Sequence, residues 1–470
     1  MSPTSAPNPK SPTQRTNYPV GGNGHPKSAA TRLARVLHTV LGPDMPVTVH
    51  AWDGSHAGPP RAGEAVTFTV HSPRAARYIL AAPNQLGLAR AYITGELTIE
   101  GDLEQALVSL FDAVNPAHPD SRPLTPRRLL TTAPRALPDV AALWGLALPP
   151  RPPAVEAHPR GRRHSRSRDA AAIRHHYDVS NDFYRLLLGP SMTYSCAYWT
   201  PPHQGLEEAQ TAKHDLVAAK LSLEPGQRVL DIGCGWGSFL IHAATRYGTC
   251  GVGVTLSEQQ AALAQQRVRD AGIEHLVTIK HLDYRELTTE RFDAIASVGM
   301  AEHVGTEELD TYARRVANLL APGGRLLHHT IAARTGEPRQ SPPSHQRFIS
   351  SYVFPDGQLQ TLPTSLTALE RTGLEIRDVQ ALREHYPPTL RAWTTNLHHH
   401  WDDAVALIGM HRARVWELYL TVSAIAFDRD RIGVNQTLAV RPTTTGDGCI
   451  PAARPETAWD EPPSSQNWLP

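Results

Sequence analysis

Cysteine is scarce in this sequence, and a long apolar run is missing from it. The 470 residues contain four cysteines, too few for a disulfide framework and without the spacing of a metal-binding pair. No stretch approaches the roughly 18 consecutive apolar residues that a membrane-spanning helix requires. The first residues, MSPTSAPNPKSPTQ, hold no apolar signal core. We therefore expect a protein of a reducing compartment, the cytoplasm, that spans no membrane and binds no metal ion.

A charge bias is missing as well. The 46 lysine and arginine residues nearly balance the 45 aspartate and glutamate residues, and the formal net charge is +1. We expect no nucleic-acid partner, since no groove of basic and aromatic residues is evident after residue 168. Any attraction to an acidic surface has to come from local patches.

Proline is abundant by contrast, and its 41 residues cluster. These clusters predict a disordered tail at 1–28, a small N-terminal domain at 29–114, a Pro- and Arg-rich linker at 115–168, a larger domain at 169–441 and a disordered tail at 442–470. In the small domain, 65–70 alternates like a strand, and the glycines of 87–101 favour turns over a long helix. The linker arginines form either a solvated tether or a patch for anionic lipid head groups, worth about 1 kcal/mol per residue near the surface.

The larger domain alternates apolar, strand-like runs with helical patterns. Strands are expected at 228–232, 250–254, 277–281, 292–298 and 325–329, and helices at 238–246, 257–270, 307–320 and 366–372. Such alternation predicts a doubly wound α/β sheet.

The run RVLDIGCGWG at 228–237 places a strand directly before a glycine-dense turn and a helix. Gly233, Gly235 and Gly237 let the backbone turn tightly and approach a ligand. Their spacing lacks the final offset of the G-x-G-x-x-G dinucleotide fingerprint, and the flanking strand and helix disfavour a plain structural turn. The run resembles the first motif of class I S-adenosylmethionine (SAM)-dependent methyltransferases.

That resemblance implies a set of cofactor contacts. Thr255 and Gln260 would bind the ribose, because no acid stands after the second strand. Asp283 would accept from the adenine amino group, and Asp231 would orient the loop and the methionine amine. The candidate cofactor-binding residues are Tyr194, Ser195, Asp231, Gly233, Gly235, Gly237, Thr255, Leu256, Gln260, Asp283 and Tyr284.

Longer motifs resemble the cyclopropane fatty acid synthases. They include AIRHHYDVSNDFY at 172–184, GPSMTYSCAYW at 189–199, SVGMAEHVG at 297–305 and further matches at 253–260, 329–331 and 352–357. The likeness covers about 170–440. It implies a class I methyltransferase, Rossmann-like doubly wound sheet with a smaller N-terminal α+β domain.

The implied chemistry is methyl transfer to an alkene in a dry pocket. The resulting carbocation needs ring faces or an anion beside it, and loses a proton from the new methyl group as the ring closes. In this family the proton acceptor is a bound bicarbonate ion. The residues implied to hold it are Cys196, Glu302, His329, the backbone amide of Ile331, and Tyr386.

The leading hypothesis is cyclopropane formation on an unsaturated phospholipid acyl chain. The same methyl transfer ending in a methylene or methyl branch is the main alternative, and a non-catalytic lipid-binding protein is a third. Ser423 stands where the mycolic acid branch carries cysteine, which weakens mycolate as the substrate. We also expect peripheral membrane binding, through the N-terminal domain, the linker or residues near Tyr198 and Trp199, and a homodimer as one oligomeric state.

Overall fold

The computed structural model describes residues 28–41, 47–58, 66–82, 84–114, 137–145, 148–157, 168, 180–200, 205–287, 290–334 and 344–449. Of the predicted N-terminal tail only Ser28 lies within these ranges. Much of the linker, and 450–470, also lie outside them. The first eight residues of the predicted C-terminal tail are described and form turns, in which Thr443 N donates to the Asp447 carbonyl at 2.8 Å.

The described residues form two compact units. The smaller draws on Met1–Ala81 and Gly95–Pro150. Its strands pair in the order β2-β1-β3-β4, with β1 parallel to β3. Its elements are α1 (Ala29–Leu41), β1 (Val47–Ala51), β2 (His56–Ala57), β3 (Val66–Val70), α2 (Pro73–Ala81), β4 (Leu97–Glu100), α4 (Leu103–Val114) and α5 (137–144). Alternate residues of β1 and β3, such as Val49 and Phe68, are buried, so one sheet face carries the core of this α+β unit.

The larger unit draws on Ala82–Thr94 and Arg151–Pro470. Its helices are α3 (Gln85–Ile93), α6 (Asn181–Leu188), α7 (Leu206–Leu221), α8 (Ser238–Tyr247), α9 (Glu258–Asp270), α10 (Leu309–Leu319), α11 (Ser344–Tyr352), α12 (Leu362–Glu370), α13 (Tyr386–His399), α14 (Trp401–Ile408) and α15 (Met410–Asp428). Its strands are β5 (Arg228–Ile232), β6 (Cys250–Thr255), β7 (Val277–His281), β8 (Phe292–Val298), β9 (Leu320–Ala333), β10 (Gln360–Thr361), β11 (Glu375–Ala381) and β12 (Ile432–Val440).

One sheet organises this unit. Its strands lie in the order β11-β12-β9-β8-β5-β6-β7, and β10 pairs with β9. Strands β5 to β9 are parallel, whereas β12 runs antiparallel to β9 and to β11. Successive residues of β5 enter different cores, since Val229 packs with one buried cluster and Leu230 with another. Helices therefore cover both faces, and the predicted doubly wound α/β sheet is confirmed.

Three predicted elements differ clearly in extent from the structure. The helix expected at 366–372 is α12, which begins at Leu362 because Thr361 caps it. The strand expected at 325–329 is the fourteen-residue β9, because β12 pairs with it over nine residues, from Ile432 to Val440. The segment expected to form turns, 87–101, contains most of the nine-residue helix α3, which begins at the N-cap Asn84. The turn itself falls at Gly95, whose φ is +75°.

Among the described helices, none combines the length and the apolar composition needed to cross a bilayer.

Candidate active site

The glycine turn joins β5 to α8 at the carboxyl end of the parallel strands. Gly233 has a φ of +81°, and a Cβ there would lie 2.9 Å from Cγ of Met300. The amide of Gly233 donates to the Val254 carbonyl at 2.9 Å, which fixes the turn against the end of β6. Glycine is thus required at 233 both by the backbone angle and by the space.

A cavity opens beside this turn, where ligands of open α/β sheets bind. Nine of the eleven predicted cofactor-binding residues line it: Tyr194, Ser195, Asp231, Gly233, Gly235, Thr255, Leu256, Gln260 and Tyr284. The described structure therefore gathers residues from 194 to 284 of the sequence around one space.

The other two predicted residues lie outside the lining. Gly237 is the N-cap of α8, and a Cβ there would lie 3.4 Å from Cβ of Ala264, so helix packing accounts for it. Both carboxylate oxygens of Asp283 accept from the Arg285 guanidinium, at 2.6 to 3.0 Å. The proposed contact between Asp283 and an adenine amino group stays a prediction.

Thr255 and Gln260 act as a pair. The Thr255 hydroxyl donates to Oε1 of Gln260 at 2.8 Å, and Ser257 caps α9 by accepting from the Gln260 amide at 3.1 Å. The Gln260 side chain is buried and held in one orientation. Its Nε2 is the donor that remains for the hydroxyls of a ribose.

Lys213, on α7, is a cavity residue that the sequence motifs do not reveal. Its side chain is buried, and Nζ donates to Oγ of Ser195 at 3.0 Å. Burial lowers the pKa of Lys213 to about 7, and burial raises the pKa of Asp231 to about 7 against the opposing effect of Lys213. A lysine is rarely fully buried unless it is paired. Here the hydrogen-bond partner of Lys213 is a neutral hydroxyl, which makes the ammonium a candidate ligand-binding group of the cavity.

Glu302 and Ile331 contact each other. The Ile331 amide donates to Oε1 of Glu302 at 2.7 Å, whereas the motif comparison expects that amide to face a bound anion. The other oxygen, Oε2, is buried without a hydrogen-bond partner in the described structure. Burial raises the pKa of Glu302, and the hydrogen bond from Ile331 offsets part of that rise. A buried carboxylate with one free oxygen is equipped to accept a proton.

His329 lies on β9, two residues before Ile331. Nε2 of Gln436 donates to Nδ1 of His329 at 3.3 Å, so the ring proton belongs on Nε2 of the histidine. Burial and the nearby lysines lower the pKa of His329 to about 3. The imidazole is therefore neutral at pH 7.

Cys196 and Tyr386 lie in neighbouring segments. The Cys196 thiol donates to the Ala197 carbonyl at 3.3 Å and contacts the Leu382 carbonyl at 3.9 Å, four residues before Tyr386. Burial raises the pKa of Cys196 well above its usual range, which keeps it a thiol. The Tyr386 ring packs on Phe427 with centroids 4.4 Å apart.

Aromatic rings form a cluster next to the cavity. Tyr194 lies against Trp393 at 5.2 Å and Trp416 at 5.9 Å, and its hydroxyl donates to that of Tyr419 at 3.2 Å. Phe354 contacts Tyr419 at 5.9 Å. Ring faces of this kind stabilise a nearby cation. The tryptophans come from α13 and α15, far in sequence from the motifs, so sequence reasoning missed them.

Two further sequence expectations concern surface residues. Arg168, the described arginine at the end of the linker, forms an ion pair with Asp356, both contacts at 2.7 Å. It is thus neither solvated nor facing a bilayer. His398 contacts Glu417 at 2.8 Å, and within the described ranges no cluster of three or more His, Cys, Asp or Glu residues is arranged to hold a metal ion.

The chain is similar in sequence to known proteins. The family model for mycolic acid cyclopropane synthetase matches residues 164–437. The chain belongs to this family. A probable fatty acid methyltransferase of Mycobacterium tuberculosis is 40% identical over 418 residues, 86% of this chain and 93% of the relative. One from Pseudomonas putida is 35% identical over 425 residues, 90% of this chain and 98% of the relative.

A solved structure agrees with the family assignment. The mycolic acid cyclopropane synthase CmaA1 complexed with SAH and CTAB is 36% identical, with a TM-score of 0.55, covering 57% of this chain and 97% of that one. This cyclopropane synthase family member is therefore a SAM-dependent methyltransferase with the class I fold. The cavity fits SAM: the glycine turn admits close backbone approach, Gln260 offers a donor for ribose, and Asp231 and Lys213 offer opposite charges.

Proposed function

We propose that this enzyme methylates a cis double bond in an unsaturated phospholipid acyl chain and closes a cyclopropane ring. The observation that carries the proposal is Glu302, whose Oε2 atom is buried without a hydrogen-bond partner in the described structure and which lies beside the strand that bears His329. Bound SAM supplies a methyl carbon made electrophilic by the sulfonium.

The double bond supplies an electron pair to the methyl carbon, and the pair of the broken C–S bond stays on sulfur. The cation left on the second alkene carbon lies where aromatic rings and a carboxylate lower its energy. A proton then leaves the new methyl group, and its bonding pair forms the third ring bond.

Glu302 is the proton acceptor that the chain itself supplies. Two of the donors that the family resemblance assigns to bicarbonate are occupied here. The Ile331 amide donates to Glu302 and the Cys196 thiol to the Ala197 carbonyl. Measuring turnover in buffer freed of carbon dioxide tests whether Glu302 or bicarbonate accepts the proton. A strong dependence of turnover on added bicarbonate would contradict Glu302 as the sole base.

A methylene- or methyl-branched product is the second candidate. The observation that favours it is the extended match to two probable fatty acid methyltransferases, each spanning most of this chain. In that case the proton would leave the acyl chain rather than the new methyl group.

Lipid analysis separates the two candidates. The enzyme is expressed in a host whose phospholipids are unsaturated, and the fatty acyl esters are analysed by mass spectrometry and proton NMR. Cyclopropane and methylene-branched chains have equal mass, but ring protons and vinylidene protons resonate in different regions. Ring signals are expected, and purified enzyme with labelled SAM that leaves no label in the acyl carbon skeleton would refute both.

We also propose that the enzyme works at the cytoplasmic surface of a membrane without spanning it. Tyr198 and Trp199 are poor candidates for insertion, because the Tyr198 ring packs on His385 at 4.7 Å and Trp199 Nε1 donates to Thr389 at 3.0 Å. Flotation with anionic and neutral liposomes at low and high salt tests binding. A homodimer stays a proposal that light scattering can check.

A further inference from the structure

Two opposite charges are buried on the wall of the same cavity. The Lys213 side chain on α7 is 2% exposed and Asp231 at the end of β5 is 4% exposed, and both line the cavity beside the glycine turn. Removing an ammonium and a carboxylate from water is costly unless each is given a partner of opposite charge.

The two groups do not form an ion pair with each other. Among the ion pairs of the described residues, none joins Lys213 to Asp231. Instead Nζ of Lys213 donates to the neutral hydroxyl of Ser195 at 3.0 Å. Each of the two charges therefore faces the cavity and can still form an ion pair with a ligand there.

A zwitterion matches this arrangement. The amino-acid end of SAM carries an ammonium and a carboxylate on one carbon, so two separated opposite charges on a wall can each take one of them. We propose that Lys213 binds the carboxylate of the amino-acid end of SAM, beside Asp231, which the motif resemblance already assigns to its ammonium. The pair thereby fixes the cofactor at its polar end, away from the lipid.

The matched control lies on the same helix. Lys220 is seven residues further along α7 and 1% exposed, but its Nζ pairs with Asp378 at 3.5 Å and it does not line the cavity. Replacing either lysine removes one buried charge from α7. Only the replacement of Lys213 removes a charge from the cofactor cavity.

The test measures binding rather than turnover, and so rests on the cofactor but not on the lipid product. SAM and its decarboxylated analogue are titrated calorimetrically into wild type, Lys213→Met and Lys220→Met. We expect Lys213→Met to weaken SAM binding about 10- to 100-fold and to leave the affinity for the analogue within about threefold, because only SAM has the carboxylate. Lys220→Met should keep the wild-type preference for SAM.

Other outcomes separate the possible failures. Equal weakening of both ligands in Lys213→Met, or no weakening of either, overturns the role of Lys213. If Lys213→Met does not fold, wild type still decides the matter, since equal affinity for SAM and the analogue excludes a carboxylate contact. Lys213→Arg, which keeps the charge, should retain a preference for SAM. Wild type that binds neither ligand would instead refute the cofactor assignment.

Discussion

At Gly233 both the backbone angle and the space available for a side chain require glycine. In Gly233→Ala the methyl group meets Met300 at 2.9 Å in a backbone conformation with φ +81°. We expect a loss of about 1–3 kcal/mol in the free energy of unfolding, and weaker binding of S-adenosylhomocysteine. Urea unfolding and calorimetry measure the two effects.

Gly272 provides the control for that substitution. Its φ is +68°, yet a Cβ there meets nothing within 4 Å. Gly272→Ala should cost only the conformational part, about 1 kcal/mol, and should leave cofactor binding intact. Equal effects of the two substitutions would show that the Met300 side chain moves aside without a loss of stability.

Buried histidines make the protein sensitive to acid. Burial lowers the pKa of His328 to about 4, of His303 to about 4 and of His329 to about 3. Between these values and about 6.5, the unfolded chain binds protons that the folded state does not. Stability therefore falls as the pH falls from about 6.5 towards 4, by up to about 1.4 kcal/mol per pH unit for each histidine.

The His328→Gln variant tests this linkage. The free energy of unfolding is measured by urea titration between pH 7 and pH 5, and its slope against pH should decrease by up to about 1.4 kcal/mol per unit. His399, an exposed residue of α13, supplies the control. A His399→Gln variant that flattened the slope equally would contradict the assignment to buried rings.

Residues that act through near neighbours in sequence could be predicted, and those that act across the fold could not. The glycine turn follows β5 directly, and Thr255 and Gln260 lie at the end of β6 and just after it. Lys213 is invisible in the motifs because its partners, Ser195 and Asp231, lie 18 residues away on either side. The bond from Ile331 to Glu302 likewise joins separate strand ends, and it occupies the amide that the resemblance assigns to an anion.

At the scale of elements, α9 holds two cofactor loops together through Arg267. Its guanidinium donates to the carbonyls of Trp236 at 2.6 Å and Ser191 at 3.0 Å. We expect Arg267→Gln to leave the Trp236 carbonyl without this donor, although the Ser191 carbonyl still accepts from Ser238 Oγ. The substitution should cost about 1–3 kcal/mol of stability and weaken S-adenosylhomocysteine binding about tenfold. Arg269→Gln, an exposed arginine on the same helix, should change neither quantity in urea unfolding and calorimetry.

Elements with a strong local period were predicted close to their bounds, as with β5, β7 and β8. The error at β9 has a physical cause, because pairing with β12 continues the strand from Thr330 to Ala333. At its other end the Gly323 amide donates to the Arg441 carbonyl, just beyond β12, at 2.7 Å. Helix α3 was missed because Gly87 lies in its first turn and glycine is a weak helix former. Its packing against α11 and α15 stabilises it instead.

At the scale of the whole molecule, a segment of the N-terminal half belongs to the catalytic unit. Helix α3 lies within Ala82–Thr94, which groups with Arg151–Pro470. The Tyr92 hydroxyl donates to Glu417 at 2.6 Å, and Arg90 forms a two-point ion pair with Glu156 at 2.7 and 3.0 Å. No composition shift marks 82–94, so the predicted boundary at 114 does not reveal this exchange.

A shortened chain that begins at Arg151 should therefore be less stable than the catalytic unit of the full chain, which includes α3. It keeps Glu417 and Glu156 but loses their partners on α3, a loss of about 2–3 kcal/mol. The unfolding midpoint of the catalytic unit should fall by about 3–5 °C. Adding a peptide of residues 82–94 should raise the midpoint with peptide concentration, because it binds only the folded state. A peptide with Arg90→Met and Tyr92→Phe should raise it less. If calorimetry found the same midpoint for the shortened chain with and without either peptide, α3 would not be a structural part of the catalytic unit.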